Sequence, residues 1–270
     1  MGLTSVVVAD VVYDPGDEAL PQFAAFRTSL MGRHYCGLAA VMALVVMAGC
    51  AAVGESTAPP VTATEVAPEV TLRTREPAPD AVRFTVVSAS SQIRLLTFRE
   101  GPMARLGHNH VITTTALTGT AWLTDDVGEA LVRIVVPANG LAVDDPEART
   151  EEGEGFEDLV PEDDIAATRD NMLGDTLLRA TDYPFIRATC GDYAAAARTI
   201  DCELEVAGNT ALVTMPVEIE REARVVTARG EVTLTHTQLG LEPYSAAGGA
   251  IRVADGITLR FTIVAQRLSD

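Results

Sequence analysis

Residues 257–264 read Ile-Thr-Leu-Arg-Phe-Thr-Ile-Val, so Ile257, Leu259, Phe261 and Ile263 point one way and Thr258, Arg260 and Thr262 the other. A period of two marks an extended strand with one dry and one wet face. Comparable strand-like runs occupy 82–88, 92–99, 111–123, 130–136, 184–190, 200–206, 211–220 and 225–235. Turn pairs at Gly208-Asn209, Gly248-Gly249 and Asp255-Gly256 separate several of them. Antiparallel sheets tolerate one solvated face, and eight or nine such strands in one domain favour a barrel or sandwich.

One segment departs from this pattern. Pro161-Glu-Asp-Asp has the acid-rich opening of a helix, and Ile165, Met172 and Leu173 follow at roughly helical spacing before Tyr183-Pro184. The acid-rich stretch ahead of it, 144–158, reads as a long loop of solvated charge.

The N-terminal part reads as targeting sequence rather than fold. The run 37–49 is apolar but too short to span a bilayer, and it ends in Met47-Ala48-Gly49-Cys50. This resembles a bacterial lipobox, which implies cleavage before Cys50 and acylation of that cysteine. Residues 31–49 then form the lipoprotein signal peptide, with Arg33 in its positive n-region. Residues 1–30 carry Asp10, Asp14, Asp17 and Glu18 where positive charge is expected, so they read as an over-called start of translation. Residues 50–80, rich in Ala, Pro, Thr, Glu and Val without a period, read as a flexible tether, leaving 81–270 as the folded domain. The expected location is the cell envelope, lipid-anchored and facing the periplasm. Ala51 after the acylated cysteine resembles outer-membrane sorting where the host has two membranes.

A formal net charge of −18 disfavours nucleic acid and anionic membrane surfaces as partners. With Cys36 removed with the signal peptide and Cys50 acylated, Cys190 and Cys202 remain. They flank a turn-like segment that would set them opposite each other on a hairpin, and an extracytoplasmic compartment permits a disulfide. No Cys-x-x-Cys and no adjacent histidine supports a redox or metal role for them.

The stretch Gly101-Pro-Met-Ala-Arg-Leu-Gly-His-Asn-His110 holds two of the chain's four histidines at i and i+2, which turns both rings to one face of a strand. With His236 they could supply three nitrogen ligands and an open metal position. The plainer reading is polar residues at a barrel mouth. Acid–base chemistry by His108 and Asp144 is a further alternative, but no nucleophile motif accompanies it.

The order of motifs resembles the YceI-like family of bacterial extracytoplasmic proteins. It rests on Ser91-Gln-Ile-Arg-Leu95, Gly107-His-Asn-His-Val111, Trp122 after Gly119, Arg169-Asp-Asn-Met-Leu173 before Tyr183-Pro-Phe-Ile186, Val206-Ala-Gly208, and Leu239-Gly-Leu-Glu-Pro243 with the closing strand. The resemblance implies an all-β, lipocalin-like antiparallel barrel of about eight strands with one inserted helical segment, whose interior holds a polyisoprenoid chain. The sequence departs from better-known members in placing Ala89-Ser90 where a histidine precedes the first-strand serine.

Contact area alone holds such a chain, at about 25 cal/mol per Å² removed from water, so no enzyme activity and no cofactor beyond a bound isoprenoid lipid is expected. The expected partners are a hydrophobic small molecule and, through the anchor, a membrane. Leu95, Trp122, Ile134 and Phe261 are the candidate lining residues, with His108, His110 and His236 at the mouth. The competing readings are a metal-binding envelope protein using those histidines and an interaction module without ligand. An interaction module predicts a filled barrel and an exposed apolar patch, whereas carriage predicts an internal cavity.

Overall fold

The computed structural model describes residues 71–267, which lie within one compact unit. The translation start, signal peptide and Cys50 lie outside the described residues.

The strands are β1 (Val82–Val86), β2 (Gln92–Glu100), β3 (His110–Thr114), β4 (Thr118–Leu123), β5 (Leu131–Pro137), β6 (Ala142–Val143), β7 (Phe185–Ala194), β8 (Thr199–Val206), β9 (Asn209–Pro216), β10 (Glu218–Arg221), β11 (Val225–Thr235), β12 (Ser245–Ala246) and β13 (Ile251–Gln266). Between β6 and β7 lie two helices, α1 (Pro146–Glu152) and α2 (Glu162–Leu173). All strand pairings are antiparallel. The all-β reading therefore holds.

Among the described residues thirteen strands replace the expected eight or so, because two long runs divide and the two-residue strands β6 and β12 are added. The run 111–123 divides at Thr115–Leu117 into β3 and β4, and 211–220 divides at Val217 into β9 and β10. The long β13 pairs with β2 and then β1 along one edge and with β11 along the other. From β1 the sheet continues through β4, β5, β7 and β8 to β9. The far end of this path comes back to β11, because a Cβ on Gly230 would lie 2.3 Å from the Pro216 carbonyl oxygen. Only glycine permits that approach, and the Phe261 ring of β13 fills the space over it.

Alternation places the core. Ile257, Leu259, Phe261, Ile263 and Ala265 of β13 face inward beside Leu234, Val232, Ala228 and Val226 of β11 in register. A second, smaller core of Leu96, Val111, Ala148 and Phe156 lies between the outer face of β2–β3 and α1.

Two expectations need correction here. The acid-rich stretch is not a solvated loop, because residues 146–152 form α1. Asp145 caps this helix by accepting from the N–H groups of Glu147 and Ala148, with Pro146 at the first position. The side chain of its Glu152 is nearly inaccessible, held between Arg94 and Arg260. Nor does the tether extend to residue 80. Leu72 is buried, Arg73 pairs with Glu203 at 3.1 Å, and Arg75 pairs with Asp192 at 2.6 Å, so this segment docks on β7 and β8. Composition alone misses this because one leucine and two arginines suffice to pin a short segment.

Candidate functional site: a barrel cavity with one polar end

A cavity of about 580 Å³ runs through the interior, lined by residues from every strand except β6 and β12. Side chains from strands at opposite ends of the sheet path meet around it, which shows how far the sheet curls. Most of the lining is aliphatic: Leu95, Ile112, Ile134, Ala188, Leu204, Met215, Ala228, Leu259 and Ile263 are typical.

Of the four candidate lining residues, Leu95, Ile134 and Phe261 line this cavity. Trp122 does not. Its neighbours Ala121 and Leu123 face in, so period two turns the indole outward, where the Arg133 guanidinium lies over it at 5.3 Å. A large aromatic ring in a strand does not by itself tell which face it occupies.

Cys190 and Cys202 face each other across β7–β8 and are joined by a disulfide whose sulfur-bearing side chains line the cavity. Closing a 12-residue separation stabilises by about 3 kcal/mol through the unfolded chain. Thermal melts with and without reductant should differ accordingly, with the reduced protein melting lower; coincident melts would rule out that contribution.

Polar lining gathers at one end. In the antiparallel register, Thr97 pairs with His110, Arg99 with Val253 and Leu234 with Ile257, so these positions share the α2 end of the barrel. There Thr97, Arg99, His108, His110, His236 and Tyr244 join Asp164, Thr168 and Asn171 of α2. At the opposite end Arg221 donates to the Thr124 carbonyl at 2.8 Å. The cavity is thus mostly apolar along its length, with most of its polar lining at one mouth and Arg221 at the other.

Gly107 accepts from Arg99 through its carbonyl at 2.7 Å. Asn109 accepts from the Arg99 N–H at 3.0 Å and donates to Gly155 at 2.9 Å, tying β2 to the segment after α1. His110 Nδ1 lies 2.5 Å from Asp144 Oδ2, while Asp144 Oδ1 accepts from the Val111 N–H at 2.9 Å and Arg149 at 2.7 Å. His108 contacts the His110 ring edge-on, with 6.3 Å between centroids.

Asp144 therefore pairs with His110 and not with His108. Its backbone adopts φ 53°, a left-handed conformation that aspartate tolerates, which turns the chain from β6 into α1 and leaves the carboxylate buried under His110. Burial pushes the Asp144 carboxyl up, but the His110 hydrogen bond, the Val111 N–H, the His110 charge and Arg149 together hold it below the ordinary carboxylate range. Glu152 is likewise held low, burial being outweighed by Arg94 and Arg260.

Because both folded values lie below the unfolded ones, this stability is present above the ordinary carboxylate range and is lost as pH falls through the folded values. Melting temperature should therefore drop on acidification below about pH 4. In an Asp144→Asn, Glu152→Gln double variant that acid dependence should flatten; an equally steep profile would place it elsewhere.

His236 is buried, and its Nδ1 lies 3.0 Å from the Asp255 carbonyl oxygen. The three histidines share one end of the cavity, but among the described residues no group of three or more His, Cys, Asp or Glu side chains is placed to hold a metal. Sequence reasoning missed Arg149 and the α2 polar face, though Asp145-Pro146 is a helix-start signal that locates α1 and hence Arg149.

A YceI-like domain model matches residues 84–265, from the inward Phe84 of β1 to the inward Ala265 of β13. The chain belongs to the YceI-like family. No curated protein sequence matches it. Among solved structures, BcnA of Burkholderia cenocepacia is similar at 13% identity and a TM-score of 0.47, covering 67% of this chain and 99% of that one. A polyisoprenoid binding domain from Saccharophagus degradans, implicated in plant cell wall breakdown, is similar at 10% identity and a TM-score of 0.47, covering 69% and 99%. A Campylobacter jejuni YceI protein is similar at 10% identity and a TM-score of 0.41, covering 57% and 82%. At these identities, ligand contacts do not transfer between YceI-like proteins residue by residue.

Proposed function

We propose that this YceI-like chain is an extracytoplasmic lipoprotein whose barrel binds or carries an apolar lipid of the polyisoprenoid type. The observation that carries this reading is the interior cavity of about 580 Å³ with mostly aliphatic walls and its polar groups gathered mainly at one mouth. Its size lies within the usual range for small-molecule sites, and its lining suits a ligand held by contact area. The cavity favours carriage over a pure interaction role, which predicts a filled barrel. No covalent chemistry is required of the site, and the His110–Asp144 pair has no nucleophile assigned to it. The lipobox-like Met47-Ala48-Gly49-Cys50 supports anchoring through Cys50 at the periplasmic face of the envelope.

Native mass spectrometry of the chain purified from the envelope tests the ligand. Extra mass that extracts into organic solvent and fragments as an isoprenoid is expected. A bare chain would favour an interaction role, and mass that resists solvent but leaves with a chelator would favour metal binding. Incorporation of radiolabelled fatty acid, lost in Cys50→Ala, tests the anchor separately.

A further inference from the structure

We propose that the outer surface at the α2 end of the barrel docks on a zwitterionic phospholipid bilayer, with Met103, Leu106, Leu159 and Tyr244 entering the membrane interface around the cavity mouth. The inference rests on the carrier reading for its purpose and on the exposed surface for its geometry.

Among the described residues seven large apolar side chains are exposed, and these four surround one end of the barrel. Leu159 is 90% exposed and Leu106 53%. Three separate segments bring them together. Met103 and Leu106 stand on the β2–β3 connection, where the Met103 N–H donates to the Ala250 carbonyl at 2.9 Å. That bond ties the connection to residues 244–250, and the Tyr244 carbonyl in turn accepts from the Val253 N–H at 3.0 Å. Leu159 is carried by the segment between α1 and α2, which meets the same loops where Asn109 donates to Gly155 and Arg99 lies 3.8 Å from Asp158. Leu106 and Tyr244 also line the cavity, so the exposed apolar rim is continuous with the aliphatic wall inside.

Charge selects the occupant. The chain holds 38 acids against 20 basic residues, yet residues 101–110 and 243–254 contain no Asp or Glu. Arg105 stands exposed between Met103 and Leu106 and has no ion-pair partner among the described residues. In the third segment the acids are engaged, Glu157 accepting from the Gly155 N–H and Asp158 facing Arg99. Apolar side chains on loop tips, with a free guanidinium and a tyrosine beside them, match the layers of a bilayer interface: acyl chains below, phosphates above. A net charge of −18 opposes an anionic surface, so the bilayer is zwitterionic. A protein partner needs one contiguous patch of standard size, whereas these side chains ring an opening. An apolar ligand resides in a bilayer rather than in water, and a mouth seated there spares it the aqueous crossing.

Trp122, on the outer wall of β4, is the chain's single tryptophan, so its emission can be moved to a chosen position. In a Trp122→Phe background, Met103→Trp, Leu159→Trp and Ala196→Trp are each purified as the full chain. They are added to preformed vesicles of phosphatidylethanolamine and phosphatidylcholine, the latter brominated along its acyl chains to quench nearby indoles. Met103 and Leu159 are exposed and do not line the cavity, so these changes leave the interior intact. Ala196 is exposed on the β7–β8 turn, which sets Tyr193 against Gly128 at the Thr124–Arg221 end. It controls for chance collision of a tethered domain with the membrane.

Relative to unbrominated vesicles, Met103→Trp and Leu159→Trp should each lose roughly half their emission or more, as side chains seated at the acyl boundary do. Ala196→Trp should keep its emission. Equal quenching at both ends would mean undirected contact, and a rim left unquenched would mean that water or a protein partner covers it; either overturns the inference. Lipid extracted from the same samples reads carriage separately. Bound isoprenoid without rim quenching overturns docking alone, and rim quenching without bound isoprenoid overturns the carrier reading alone.

Discussion

Replacing Asp144 with asparagine is expected to destabilise the protein by about 3–5 kcal/mol, because it leaves the buried Arg149 guanidinium without its counter-charge. Arg149 Nη1 meets Asp144 Oδ1 at 2.7 Å, and both side chains are nearly inaccessible, at 8% and 0% exposure. The same guanidinium donates to the Asn109 carbonyl at 2.7 Å and the Asp158 carbonyl at 3.0 Å, so its displacement also loosens the segment after α1. For a domain of this size each kcal/mol shifts the melting temperature by about 2–4 °C, giving a fall of about 6–20 °C.

Differential scanning calorimetry of Asp144→Asn measures it directly. An Asp144→Asn, Arg149→Met double variant should recover part of the loss, since removing both charges abolishes the unpaired one. If the double variant were less stable than Asp144→Asn, the cost would come from lost packing around Phe156 rather than from charge.

Filling the cavity should abolish carriage without unfolding the barrel. Ala188 lies on β7 between Ile134 of β5 and Leu204 of β8, and all three line the cavity. An Ala188→Phe ring projects into empty space rather than into packed neighbours. If it displaces about 100 Å² of ligand surface, then at about 25 cal/mol per Å² the loss is about 2.5 kcal/mol, or roughly sixty-fold in affinity. The bound-lipid mass should vanish from native spectra while the melting temperature stays within a few degrees of the parent. Lipid retained at the parent level would place its binding outside the cavity.

These two residues differ in how far the sequence exposes them. Alternation through 184–190 places Ala188 inward, and period two likewise places Leu95, Ile134 and Phe261. Trp122 has the bulk of a lining residue, but its phase on β4, between the inward Ala121 and Leu123, turns it outward. From the sequence Asp144 reads as an acid–base partner for His108 within a solvated acid-rich loop, although Asp145-Pro146 beside it announces a helix start. The choice between His108 and His110 as its partner does not follow from spacing, since at i and i+2 both rings share a face. The run 111–123 read as one strand because no strong turn signal marks Thr115–Leu117.

The sequence by itself determined the strand periodicity, the α2 segment, the cysteine pair and the family, because these depend on local repeat, composition and motif order. Tertiary structure alone decided that the sheet encloses space, that α1 folds back over β2 and β3, and that Asp144 lies buried between His110 and Arg149. Whether inward side chains fill a barrel or line a cavity depends on how strands distant in sequence curve toward each other. A buried charge finds its partner through a turn such as that at Asp144, whose left-handed backbone no hydrophobic period records.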